Sequence, residues 1–138
     1  MSVFPSGAFP VFERALGPED LRLVGPLANL ADVYRVRGEF DRAELLYRRL
    51  AFLMEQAFGP SDIRVGTALA STAEVVAGQG HYGQAKSMYE RALTIHQATL
   101  GADDPRTVRV LNEYAGLLVK LNRRAETGAL KARVAPVS

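Results

Sequence analysis

The side chains best suited to proton transfer or metal ligation near neutral pH are few in this chain: two histidines, His81 and His96, and no cysteine. An imidazole that binds a metal on a helix needs a second ligand three or four residues away. Neither histidine has a histidine or acidic residue at that spacing. Asp103 and Asp104 form an acidic pair, but they precede Pro105 at a predicted helix start, where carboxylates cap free N–H groups and meet the positive end of the helix dipole. Arg22, Arg64 and Arg106 recur at a constant interval of 42 residues. Their expected role is hydrogen bonding between structural units, to Asp or carbonyl groups, with anion binding as the alternative. Gly78-Gln79-Gly80 reads as a helix end and turn, since a phosphate-cradling glycine loop follows a strand. Tyr34, Tyr47, Tyr82, Tyr89 and Tyr114 stand at helical spacing and read as core. No residue set predicts catalysis, a metal or a cofactor, so the chain is expected not to be an enzyme.

Composition narrows the class further. The 138 residues fit one domain, and a hydrophobic content of 48% is enough for a core. The absence of cysteine excludes disulfides and thiolate sites. Residues 1–10 lack a basic start and a continuous apolar core of signal-peptide length, and no run approaches the ~20 apolar residues of a membrane span. A cytoplasmic protein without membrane contact is expected. The net charge is +2, but bases and acids are interleaved, so the one-sign stripe of a nucleic-acid surface is missing.

The elements that must position any functional side chain follow from a repeat. Leu16-Gly-Pro-Glu-Asp-Leu-Arg-Leu-Val24 returns as Phe58-Gly-Pro-Ser-Asp-Ile-Arg-Val65 and as Leu100-Gly-Ala-Asp-Asp-Pro-Arg-Thr-Val108, each 42 residues on and without a gap. A period of that length indicates a helical array. It divides the chain into an N-terminal arm (1–15), repeats over 16–57 and 58–99, and a third over 100–138 with a shortened last helix.

Each repeat is predicted to hold two helices. Val65, Leu69, Thr72, Ala73 and Val76 make the apolar stripe of a first helix; Phe40, Ala43, Leu46, Tyr47, Leu50 and Met54 make that of a second, matched by Tyr82, Ala85, Met88, Tyr89, Ala92 and Ile95. Asp62 and Asp104 are the predicted N-caps, with Pro105 at the first helical position. Gly38, Gly80 and Asn122 are expected to end the first helices in the left-handed conformation, and Gly59 and Gly101 to end the second. Ala31, Ala73 and Ala115, with Ala43, Ala85 and Ala125, form columns of small residues that let antiparallel helices approach closely. Proline inside a helix costs ~3 kcal/mol, so the first helix of repeat one is expected to begin at Pro26, with Asp20 to Val24 a separate turn or loop. The last helix, from about Arg124 to Val134 with Gly128 in its middle, is expected to be the least stable. The arm, with Phe4, Phe9, Val11 and Phe12, is expected to fold over the first repeat's open end or to act as a tethered ligand.

Leu27-Ala-Asn-Leu-Ala-Asp-Val-Tyr34, Gly38-Glu-Phe-Asp-Arg-Ala-Glu-Leu-Leu-Tyr-Arg-Arg-Leu50 and Tyr89-Glu-Arg-Ala-Leu-Thr-Ile95, with the Leu-Gly-Pro-x-Asp phrase, resemble the tetratricopeptide repeat, in its 42-residue form found in kinesin light chain. The resemblance implies an all-α, right-handed α–α superhelix of three helix hairpins, whose first helices line a concave groove. The groove positions it carries over are Ala28, Asn29, Asp32 and Arg35; Thr67, Ala70, Ser71 and Glu74; and Arg109, Asn112, Glu113 and Gly116. Of the family's backbone-holding asparagines this chain keeps Asn29 and Asn112, with Ser71 in the middle place. An asparagine amide offers both donor and acceptor to a peptide backbone. The lysine and asparagine cluster that grips chaperone C-termini is absent, Ala28, Asp32, Thr67 and Ser71 standing there instead. The implied function is a protein–protein interaction scaffold that binds a peptide or helix of a partner in the groove. The alternative is a self-associating module that oligomerises through its repeat ends or its arm.

Overall fold

The computed structural model describes residues 21–134, with side chains to residue 129. The expectations for the arm at 1–15 and for the first copy of the repeated phrase up to Asp20 fall outside them. A 3-10 turn at Leu21–Leu23 leads directly into α1 (Val24–Val36), followed by α2 (Phe40–Phe58), α3 (Ile63–Gly78), α4 (Tyr82–Leu100) and α5 (Pro105–Val134). The described residues contain no strand, and each helix packs chiefly on its neighbours in the chain. The result is the expected all-α solenoid.

The first two hairpins form as their sequences dictate. Gly38 and Gly80 adopt φ of 78° and 86°, a region that costs a residue with a Cβ ~1–2 kcal/mol. That conformation lets the next two N–H groups turn back onto the helix: Gly38 donates to Arg35 and Glu39 to Tyr34, as Gly80 does to Ala77 and His81 to Val76. Orphan carbonyls at the helix ends are thereby satisfied. Gly59 and Gly101, with φ of 91° and 87°, close α2 and α4. The carboxylates of Asp62 and Asp104 accept from the backbone N–H of Arg64 and Arg106 at 2.9 and 2.8 Å, the expected N-caps.

The alanine columns sit at the helix crossings of these two hairpins, with Ala31, Ala43, Ala73 and Ala85 fully buried. Around the first pair, Leu23, Leu27, Leu46, Tyr47 and Leu53 build one cluster; around the second, Val76, Tyr89, Ala92, Val110 and Leu117 build another. Helix α3 lies between them, so Val75 and Val76 on different sides of it are both fully buried. Side chains reinforce the stacking of hairpins: Gln79 donates to Glu44 at 2.7 Å and Arg91 to Glu55 at 2.8 Å. Glycine at 78 is required for that stacking, because a Cβ there would come within 2.6 Å of the Phe40 ring.

Three expectations are corrected. Helix α1 starts at Val24, not Pro26; proline in the first turn is tolerated because the first four N–H groups of a helix have no intrahelical partner. The third hairpin is not formed. Asn122 does not end a helix but lies within α5, which runs unbroken for 30 residues, and no residue other than glycine has positive φ among the described residues. Five residues separate Gly38 from Ala43 and Gly80 from Ala85, but three separate Asn122 from Ala125, and no aromatic residue falls between them. The third copy thus lacks both the glycine and the aromatic anchor of the turn. With no helix folded back, Ala115 and Ala125 are exposed. Finally, Arg64 and Arg106 do not bridge repeats: they bind the carboxylates of Asp62 and Asp104 in their own turns at 3.2 and 3.1 Å, and Arg64 also lies 3.8 Å over the Phe58 ring.

Candidate functional site

Helices α1, α3 and α5 are the first helices of successive repeats, and the face they share carries the polar side chains singled out from the sequence. Its framework starts at the junction of α1 with α3. The Arg35 guanidinium donates through Nη1 to Glu74 Oε2 at 3.1 Å and through Nε to the Tyr47 hydroxyl at 3.1 Å, and that hydroxyl donates to Asp32 Oδ1. Asp32 and Arg35 also form an ion pair at 3.8 Å, one helical turn apart. Four side chains from three helices are therefore locked in one network. The hydrogen bond to Tyr47, followed by the charges of Glu74 and Asp32, raises the pKa of Arg35 against the opposing effect of burial. The Tyr47 hydroxyl is pushed up to about 12, first by burial and then by its hydrogen bond to Asp32.

Between α3 and α5 the face opens into a cleft of about 170 Å³. Thr67, Ala70, Ser71 and Glu74 form one wall; Arg106, Arg109, Val110 and Glu113 form the other, and His96 from the end of α4 lines it too. Arg109 binds Glu113 one turn along the helix at 3.2 Å. A second, more open cleft of about 310 Å³ continues from it, sharing Glu74 and Glu113 and extending to Tyr89, Gly116 and Lys120. The Tyr89 hydroxyl is shifted well upward, by burial first and then by Glu113 and Glu74. Two carboxylates from neighbouring repeats thus flank the passage from one cleft to the next, each tied to an arginine.

The predicted groove residues divide accordingly. Asp32, Arg35 and Glu74 join in the first network, and Thr67, Ser71, Glu74, Arg109 and Glu113 line the α3–α5 cleft. Asn112 is exposed in a more open depression that adjoins this cleft through Arg109 and Glu113. Asn29 is exposed and lines neither cleft. The two asparagines are not brought together with Ser71 in one site.

Sequence reasoning missed Tyr47, Tyr89 and His96 as parts of this face. All three belong to second helices and to buried stripes, at 3% exposure each. The tyrosines had a legible signal in their hydroxyls, since a buried O–H needs a partner. His96 had none, because its neighbours in space, Gly66 and Thr107, lie far from it in sequence.

Among the described residues no group of three His, Asp or Glu side chains is placed to hold a metal ion, and no helix is long and apolar enough to cross a membrane. A family model for the tetratricopeptide repeat matches residues 26–98. No curated protein matches the chain. The matched stretch takes in nearly all of α1 to α4, the two hairpins whose glycine turns and alanine crossings are fully formed, and it covers more than half of the sequence. The chain therefore belongs to the tetratricopeptide repeat family.

Proposed function

We propose that the face of α1, α3 and α5 is the docking surface of a protein–protein interaction scaffold and takes a peptide or helix of a partner. Tetratricopeptide repeats generally mediate such interactions. The observation that supports this reading is the continuity of the two clefts through Glu74 and Glu113, which gives a bound segment a lined path between repeats. The groups along it are already paired, so little reorganisation is needed on binding. The experiment is affinity capture from the source cell with partners identified by mass, repeated with Ser71→Arg to block the path and with Arg48→Glu on α2 as a control away from it. Partners held by the wild type and by Arg48→Glu but lost with Ser71→Arg support the assignment. A full set of partners on Ser71→Arg refutes it.

A second reading has its own observation. Val108, Leu111, Leu118 and Val119 on α5 are 38–49% exposed, and with the bare Ala115 they make one stripe at helical spacing. This is the side that a regular third hairpin would cover, and pairing with another copy of the chain would hide it. Sedimentation of the wild type against Leu111→Lys/Leu118→Lys tests it: a concentration-dependent dimer lost in the variant is expected, and a wild-type monomer at high concentration removes the idea.

A further inference from the structure

His96, at the α3–α5 cleft, keeps an acceptor that no group among the described residues uses. His96 is 3% exposed, and its Nδ1 lies 2.8 Å from the carbonyl oxygen of Ala92. A carbonyl can only accept, so Nδ1 carries the hydrogen, and in the neutral ring Nε2 is left with a lone pair. No hydrogen bond to Nε2 is present among the described residues, and the nitrogen is not sealed off from solvent. His96 is one of the residues that line the cleft between α3 and α5. An acceptor that touches solvent bonds to water until a partner's donor takes that place.

The ring is also held in place. Gly66 on α3 lies so close that a Cβ there would stand 3.0 Å from His96 Nδ1 and 3.0 Å from Ile95 Cγ2. Thr107 on α5 is fully buried and donates to the His96 carbonyl at 3.4 Å. Helix α3 thus packs against the imidazole, and Thr107 on α5 anchors the backbone that carries it.

The rest of the cleft limits what can reach it. Its charged groups are balanced and engaged: Glu74 with Arg35, Glu113 with Arg109, Arg106 with Asp104. A free ion has no unpaired counter-charge to meet, and a carboxylate would bring a second acceptor to a lone pair. Ala70 and Val110 supply apolar wall. The volume of about 170 Å³ is close to the ~150 Å³ cavity that is known to admit benzene. A serine or threonine would reach the acceptor but leave most of that space unfilled.

We infer that the cleft between α3 and α5 is a socket for a tyrosine side chain of the partner, its ring between Ala70 and Val110 and its hydroxyl donating to His96 Nε2. This rests on the reading of the face as a docking surface and adds which side chain it selects.

The test uses the intact chain at pH 8 and follows the His96 ring and the Ala70 and Val110 methyl resonances by NMR during titration with p-cresol, toluene, acetate and N-acetyltyrosinamide. The expected result is that p-cresol and N-acetyltyrosinamide shift these resonances and bind at least tenfold more tightly than toluene or acetate. His96→Phe, which keeps a ring but removes the acceptor, should abolish the preference of p-cresol over toluene. Equal binding of p-cresol and toluene by the wild type overturns the inference, as does acetate binding as well as p-cresol, or no response to p-cresol. Binding of p-cresol with exclusion of N-acetyltyrosinamide overturns it too, since it would mark a site for free phenols. Because these titrations need no partner, they are independent of the capture experiment. A socket that binds tyrosine while Ser71→Arg keeps every partner refutes the docking face alone, and an empty socket beside a Ser71→Arg variant that loses partners refutes the socket alone.

Discussion

Replacing Tyr47 by phenylalanine removes one oxygen from the junction of α1, α2 and α3, and its effect should depend on pH. At pH 8 the hydroxyl donates to Asp32 and accepts from Arg35. Both partners reach solvent, their side chains being 57% and 33% exposed, so they rehydrate when the hydroxyl is lost, and the variant should be about 1 kcal/mol less stable. At high pH the balance changes. The hydroxyl titrates at about 12 in the folded chain against an ordinary value of 10.0, so the folded state keeps a proton that the unfolded state has released. Its contribution is fully present below pH 10 and is lost as the pH rises through 12. At pH 11.5 linkage gives a loss of ~2 kcal/mol for a fully shielded group, and about half of that once screening at exposed Asp32 is allowed for. Phenylalanine suffers no such loss, and effects of Tyr89 and the lysines are common to both proteins. Urea unfolding followed by circular dichroism at pH 8 and 11.5 should therefore show a gap of about 1 kcal/mol that closes on going to the higher pH. A gap that stays constant would refute the account of the network.

Leu46→Ala empties a fully buried position in the first cluster and should cost ~2–5 kcal/mol, seen as a lower urea midpoint with little change in slope. Asp62→Ala removes the cap of α3 and the partner of Arg64; a loss of about 1 kcal/mol in the same assay is expected. Two glycine replacements should act with opposite sign. Gly80→Ala meets no atom but must adopt φ near 86°, so it should lose ~1–2 kcal/mol, whereas Gly128→Ala, helical and in open space on α5, should raise the helicity of the isolated α5 peptide by a gain of about 1 kcal/mol.

The parts of the fold legible in the sequence are those decided by one residue and its near neighbours. Gly38, Gly80, Gly59 and Gly101 mark turns because the left-handed conformation favours glycine, and Asp62 and Asp104 mark helix starts because a carboxylate reaches the free N–H groups locally. The start of α1 was misplaced by two residues because proline is judged by where the helix already stands, and Pro26 falls in a turn that has no bonds to lose. The missing third hairpin has a different cause. Asn122 tolerates the turn conformation but does not impose it, and the shortened, aromatic-free stretch to Ala125 gives the turn nothing to pack against. At the candidate site, residues on one helix face were legible, while pairings such as Arg35 with Glu74, 39 positions apart, depend on how repeats stack. His96 could not be read at all, since its setting is made by Gly66 and Thr107 from two other helices.

The serial packing of the helices has a consequence for how the molecule comes apart. Contacts run from each helix to the next, and α5 touches α3 only slightly beyond its seat on α4. Such a chain of nearest neighbours opens from an end, one element at a time, and each step leaves the remainder intact. Helix α5, about 45 Å long at 1.5 Å per residue, can peel from α4 without disturbing α1 and α2, carrying one wall of both clefts with it. Its amide hydrogens should exchange well ahead of those of α2, and a partner that spans α3 and α5 would slow them, so occupancy of the face can be read from the protection of its last helix.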